Sequence, residues 1–283
     1  MTEVDRPELS IEVFPPRDEA GRDRLVQNIA AKLSELGPEF FSVTYGAGGS
    51  TRDGTRQTVL ALQASAKEAV PHLSIGTDDH GEIRTLLDEY QSHNIRRIVT
   101  LRGDQPSGFG SYKFNNAEAL IKLVRTHSGD YFDLIVAAYP EIHPDAKSAS
   151  SDMDFFQAKV NAGASRAITQ YFYNADAYED FLNRCTQKRL NIPIIPGIMP
   201  ITDFQSLTRF SDKAGAEIPR WLRHRLAELV DDAEGTRALG VEFVTGLCER
   251  LLQIGAPGFH FYSLNRWGAT TQICSTLGFS AKS

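Results

Sequence analysis

A single alternation runs the length of this chain and restricts the folds open to it. A short β-branched or aromatic run is followed by a polar or glycine-containing loop, then by an amphipathic stretch of helical period. The runs predicted as strands span 9–14, 40–45, 72–75, 97–102, 132–138, 167–172, 193–198 and 258–262. Helices are predicted near 20–36, 52–68, 80–93, 115–127, 151–163, 176–189, 203–213 and 234–254, with a last one near 267–277. Eight strands, each followed by a helix, are what a (β/α)8 TIM barrel needs. A doubly wound open sheet alternates in the same way, but it usually carries a glycine-rich phosphate loop after its first strand. Here that strand runs into Phe14-Pro15-Pro16-Arg17, where two prolines offer no amide donors. The α/β barrel is therefore the expected fold.

At 283 residues the chain suits one barrel of this kind, and no Pro/Gly/Ser linker divides it. A single domain over 1–283 is expected, with an extra helical insertion at about 215–232. Pro219 is placed in the first turn of that extra helix. Hydrophobic residues make up 41% and charged residues 23%, which excludes a largely disordered chain. A formal charge of −6 argues against nucleic acid or an anionic membrane surface as the partner. Cys185, Cys248 and Cys274 are odd in number and form no CxxC pair, so free thiols are expected. The acidic N-terminus lacks an apolar signal core, and no apolar run approaches the ~20 residues of a membrane span. These features predict a soluble cytoplasmic protein.

Barrel sites are built at the C-terminal ends of the strands. The residues there are polar: Glu12, Thr44, His72, Arg102-Gly103-Asp104, Tyr139 with His143, Gln170 and Asn265-Arg266. Glu12 lies inside the apolar run Ile11-Glu12-Val13-Phe14 and shares a strand face with Phe14 and Ser10. A carboxyl in such surroundings loses hydration, its pKa rises, and it becomes a proton donor near neutral pH. The alternative is a solvent-facing glutamate on an edge strand, which a closed barrel does not have. Arg102-Gly103-Asp104 reads either as a turn with a surface ion pair or as a phosphate- and ring-binding loop. The glycine-rich stretch 45–51 lacks the P-loop lysine and reads as a plain turn. His72 and His143 have no second histidine at ligand spacing, so no metal site is expected. Lys147, Lys159 and Arg166 suit a small phosphate-bearing ligand, and solvated helix faces explain the lysines almost as well. The spacings alone do not reveal the reaction.

Seven segments, taken in order, resemble the methylenetetrahydrofolate reductase family. They are Ile11-Glu12-Val13-Phe14-Pro15-Pro16, Ser42-Val43-Thr44-Tyr45-Gly46-Ala47, Leu101-Arg102-Gly103-Asp104, the stretch 137–144 (AAYPEIHP), Ala167-Ile168-Thr169-Gln170-Tyr171-Phe172, Pro196-Gly197-Ile198-Met199-Pro200 and the stretch 260–266 (HFYSLNR). The resemblance implies a flavoprotein barrel that reduces 5,10-methylenetetrahydrofolate to 5-methyltetrahydrofolate with NADH or NADPH through FAD, in ping-pong turnover on one flavin face. It makes Glu12 the general acid, and Asp104 the residue that binds the pterin and tunes the flavin. It implies that Thr44, His72, Arg102, Asp104, Ala137, Tyr139, His143, Asp152 and Lys159 hold FAD. It gives Gln170, Phe204 and Arg266 to the two substrates, with Phe204 as a stacking ring. Phe155 stands where a polar flavin contact is expected. A homo-oligomer is also implied. Because the chain ends soon after Leu277-Gly278, no adenosylmethionine-binding regulatory region is expected. The competing classes are a flavin barrel of the proline dehydrogenase type and a barrel that binds folate or FAD without turnover.

Overall fold

The computed structural model describes residues 6–45, 52–74, 80–102 and 117–280. Nine strands form one sheet: β1 (Glu8–Val13), β2 (Phe40–Val43), β3 (Ala69–Ser74), β4 (Arg97–Leu101), β5 (Asp133–Ala138), β6 (Arg166–Thr169), β7 (Ile194–Ile195), β8 (Gly197–Ile198) and β9 (Gly258–Tyr262). Their order is β7-β6-β5-β4-β3-β2-β1-β9-β8, and every pairing is parallel. The predicted seventh strand is thus two short ones. Pro196 divides it, because proline cannot donate to a ladder. The piece before Pro196 pairs with β6 and the piece after it pairs with β9, so the divided strand brings the two ends of the sheet together. His260 N donates to Pro196 O at 3.0 Å across the joint. The result is an α/β TIM barrel.

The helices follow the predicted positions: α1 (Glu19–Arg24), a π-helical turn over Leu25–Ile29, α2 (Ala30–Ser34), α3 (Arg52–Ala64), α4 (His80–Ser92), α5 (Ala117–Ser128), α6 (Ala149–Asn161), α7 (Ala175–Gln187), α8 (Phe204–Ala214), α9 (Arg220–Glu228), α10 (Ala233–Ile254) and α11 (Gly268–Thr276). Pro219 is the N-cap of α9, one position before the first turn predicted for it. β3 begins three residues before its predicted start, because Pro71 reads as a break although it pairs in register with Val43. β6 stops at Thr169, three residues short of its predicted end. Beyond it Tyr171, Phe172 and Tyr173 remain buried as a packed aromatic turn.

Period-two alternation sorts each strand between the helix layer and the lumen. Leu9, Ile11 and Val13 of β1 join the large core beneath the helices, while Ser10 and Glu12 face the other way. The lumen is graded from base to mouth. At its base Arg97 meets Glu68 (3.0 Å), Asp133 (3.6 Å) and Glu39 (3.8 Å), and Arg166 pairs with Glu8. Above it Phe40, Val70, Val99, Ile135, Ile168 and Ile195 close into a separate apolar ring. Each such side chain contributes ~1.5–3 kcal/mol by leaving water. Glu12 and His72 lie above that ring, toward the mouth.

Candidate functional site

Glu12 is the next-to-last residue of β1 and sits opposite Ser42 on β2 and Tyr262 on β9. Its side chain is 8% exposed, and burial raises the carboxyl to about 8. His72 Nε2, on β3, lies 3.6 Å from Glu12 Oε2. Burial pushes that imidazole down to about 3. Near neutral pH the contact therefore joins an uncharged acid to an uncharged ring, although its distance is that of an ion pair.

The last turn of β1 is held from the far end of the chain. Ser263 Oγ donates to Glu12 O at 2.6 Å. Asn265 clamps Phe14 on both sides, accepting from its N–H (2.8 Å) and donating to its carbonyl (2.9 Å). Leu264 and Asn265 hold left-handed φ of 51° and 55° to make this turn. Below Glu12, His260 shares its two ring nitrogens between Ser10 Oγ (2.7 Å) and Ser42 Oγ (3.4 Å). Tyr262 reaches over Gly197 and donates to Thr169 O at 2.7 Å. A Cβ at Gly197 would strike both Thr169 O and the Tyr262 ring, which is why that position carries none. Sequence reasoning assigned no role to Ser10, Ser42, His260, Tyr262 or Ser263. The available signal was lumen parity on β1, β2 and β9, which places polar residues on the face of Glu12.

The residues expected to hold a cofactor lie at the same end of the barrel. Thr44 follows β2 and His72 and Ser74 lie on β3; Thr44 Oγ1, His72 Nε2 and Ser74 Oγ are sealed from water and find no hydrogen-bond partner among the described residues. Arg102 is exposed just after β4 and bonds Asp145 at 2.7 Å. His143 N donates to Asp152 at 3.1 Å, and its ring meets the Tyr139 ring edge-on at 4.5 Å. Burial lowers the His143 pKa, and the Arg102 charge lowers it further. Lys159 donates from α6 to Ala137 O, and burial pushes its ammonium down to about 8 against the pull of Asp152. Arg102, Ala137, Tyr139, His143, Asp152 and Lys159 thus form one connected rim over β4 and β5. Asp104 lies outside the described residues. Phe155 is 63% exposed on α6.

The expected substrate residues occupy the remaining arc. Gln170 follows β6, and its side-chain oxygen accepts from Tyr171 N at 3.0 Å. Phe204 opens α8 and is half-buried; Asp203 caps that helix by accepting from Ser206 N at 2.7 Å. The Asp203 carboxyl is held low first by Ser206 and further by the charge of Arg266, which places exposed Arg266 on the same arc as Phe204. Among the described residues, no group of three His, Cys, Asp or Glu side chains is placed to hold a metal ion. No helix among them is long and apolar enough to cross a membrane.

Fold and site together define a parallel α/β barrel whose mouth holds a buried, protonated carboxylic acid beside a rim of cationic and aromatic groups. A family model described as methylenetetrahydrofolate reductase matches residues 1–278, and the chain belongs to that family of oxidoreductases acting on one-carbon folates. The 5,10-methylenetetrahydrofolate reductase of Escherichia coli (strain K12) is 39% identical over 95% of this chain and 90% of its own length. Methylenetetrahydrofolate reductase (NADH) 1 of Arabidopsis thaliana is 34% identical over 98% of this chain and 49% of its own. Among solved structures, a Clostridium thermocellum protein described as binding two copies of 5-methyl-5,6,7,8-tetrahydrofolic acid superposes with TM-score 0.68, at 20% identity over 95% of this chain and 93% of that one. That likeness is one of fold.

Proposed function

We propose that this chain reduces 5,10-methylenetetrahydrofolate to 5-methyltetrahydrofolate, drawing on NADH or NADPH through FAD in ping-pong turnover. Membership of the family supports the reduction itself. The observation that carries the mechanism is Glu12, a carboxyl that burial keeps protonated near neutral pH in the barrel mouth. The rim fits the flavin. Thr44 Oγ1 and Ser74 Oγ are buried polar atoms in want of a partner, and Arg102 and Lys159 supply cations for a diphosphate. Ala137, Tyr139, His143 and Asp152 complete the cradle, and the family resemblance adds Asp104 to it. Held by these residues, FAD would supply the hydride-transfer chemistry between the nicotinamide and the folate.

The chain's own residues bind, orient and protonate. Glu12 gives its proton to the bridging N10 of the folate; its O–H bond breaks, an N–H bond forms, and the C–N bond of the five-membered ring opens to an iminium carbon. That carbon is then the hydride acceptor, and Glu12 is left as a carboxylate. Asp104 binds the pterin and offsets its developing positive charge. Gln170 and Arg266 orient the substrates, and Phe204 stacks on the nicotinamide or on the aminobenzoyl ring. The test is a pair of anaerobic half-reactions: bleaching of the flavin by NADH or NADPH, then reoxidation by methylenetetrahydrofolate. Glu12→Gln should keep the first and slow the second by about 10²–10⁴-fold, the usual worth of a general acid. Equal loss of both would refute the role of Glu12, and a protein that never takes up FAD would refute the whole reading.

A further inference from the structure

The apolar ring beneath the mouth seals the lumen from below, so Glu12 must manage its charge with the groups of its own layer. Those groups are few. His72 on β3 faces the carboxyl at 3.6 Å, and Tyr262 on β9, whose own pKa the Glu12 charge helps to raise, has its hydroxyl tied to Thr169 O. His260 sits one layer lower and is occupied by Ser10 and Ser42. Tyr139, beyond β5, is near enough to Tyr262 for its charge to raise the Tyr262 pKa. Burial is the one cause that shifts the Glu12 carboxyl, so no described cation relieves it. After Glu12 gives up its proton, a bare carboxylate remains in this layer. The one buried polar atom facing it without a partner among the described residues is His72 Nε2.

Resting on the folate reading above, we propose that His72 is the positioning residue of the Glu12 acid: its Nε2–H holds Oε2, leaving Oε1 to carry the proton into the mouth, and closes on the carboxylate left after proton transfer. The long contact suits this role. A hydrogen bond from a neutral N–H to a neutral carboxyl is weak; the same bond to a carboxylate is short and about twice as strong. The contact therefore tightens only as charge develops, and it favours the transition state over the ground state. It is also consistent with catalytic contacts that are long before substrate arrives. No atom other than the transferred proton changes owner, and the imidazole stays neutral throughout.

The test compares the wild-type holoenzyme with His72→Leu, His72→Asn and His72→Gln. The Gln amide can present an N–H near the place of Nε2, whereas Asn is too short and Leu has none. Flavin content and the rate of reduction by NADH are measured first, and the pH profile of reoxidation by methylenetetrahydrofolate second. Removing a donor from the carboxylate makes Glu12 a weaker acid. His72→Leu and His72→Asn should therefore lower the plateau by about 10–100-fold, the worth of a hydrogen bond to a charged group. They should also move the falling limb to higher pH, while His72→Gln stays near wild type in both respects. A merely structural lesion would lower the plateau and leave the limb in place, and that result overturns the proposal. If Leu or Asn fails to retain flavin, the titration of the Glu12 carboxyl by its infrared carbonyl band, assigned by its loss in Glu12→Gln, reads the same shift without cofactor. An unmoved titration overturns the proposal as well. Asp104 is kept in every variant, so its field cancels. Failure of the wild type to be reoxidised by the folate would instead defeat the underlying reading.

Discussion

Glu12→Gln should reverse part of the protein's response to alkali. In the fold the carboxyl is raised from 4.5 to about 8 by burial, so between those values the folded state holds a proton that the unfolded chain has lost. Stability changes with pH as 2.303RT times the difference in bound protons, unfolded minus folded; here that difference is minus one. The fold therefore loses ~1.4 kcal/mol per pH unit on account of this one group as pH rises. From about pH 5.5 to about pH 7.5 that is roughly 2.7 kcal/mol. The amide that replaces the carboxyl has no proton to lose, so the difference in unfolding free energy, variant minus wild type, should climb by that amount across the window. His72 and His260 also titrate on unfolding, with folded pKa values lowered to about 3, but they are present in both proteins and cancel in the difference. Urea melts of the flavin-free proteins at a series of pH values measure it. A flat difference curve would mean that the carboxyl titrates at its ordinary value, and the desolvated-acid argument would fall with it.

The two histidines make their own prediction: in Glu12→Gln, stability should fall as pH drops below about 6.5, because both rings bind protons only when unfolded, and His260→Asn should reduce that slope in pH-dependent melts. Gly197→Ala should cost ~1–3 kcal/mol and displace Tyr262, read as a lower melting temperature and a changed tyrosine near-ultraviolet dichroism; unchanged values would refute the close packing. Asn265→Ala strips two hydrogen bonds from Phe14 and should cost ~1–3 kcal/mol while slowing the folate half-reaction more than the NADH half-reaction. Arg97→Ala, at the base, should lower stability on the order of 1–3 kcal/mol, read in the same urea melts.

Much of the barrel was legible because its strands and helices differ in period, and that difference is local. The helices near α3 to α11 fall within a few residues of their predicted bounds for this reason. The closure was not legible. Pro196 looks like a break inside one strand, and only the paired partners on either side reveal that it lets one strand serve two neighbours. The same limit governs the site. Glu12 stood out because a carboxylate in an apolar run is locally anomalous. The Ser10–His260–Ser42 contact stayed hidden because each residue is ordinary on its own and the pairs are 250 and 218 positions apart. Asn265 was noticed as a polar residue at a strand end, yet its side chain clamps the β1 exit, a task that sequence cannot separate from ligand binding.

The grading of the lumen explains why an acid can stay protonated in a barrel that also encloses two guanidiniums. Arg166 is paired with Glu8, four residues before Glu12 on the same strand, so at ~3.3 Å per residue the backbones of the two carboxylates are about 13 Å apart along the strand. Arg97 is surrounded by Glu39, Glu68 and Asp133, and its guanidinium lies against the Phe40 ring of the apolar layer. Each cation is thus neutralised by its own carboxylates, and its residual field falls off faster than that of a lone charge. Without that local pairing, a guanidinium acting through dry protein would favour the Glu12 carboxylate and lower its pKa. The apolar ring keeps the layers apart. An acid near neutrality in the mouth therefore depends on the ion pairs at the base being complete, and a basal substitution that frees one guanidinium should act on Glu12 through its pKa before it acts through any contact.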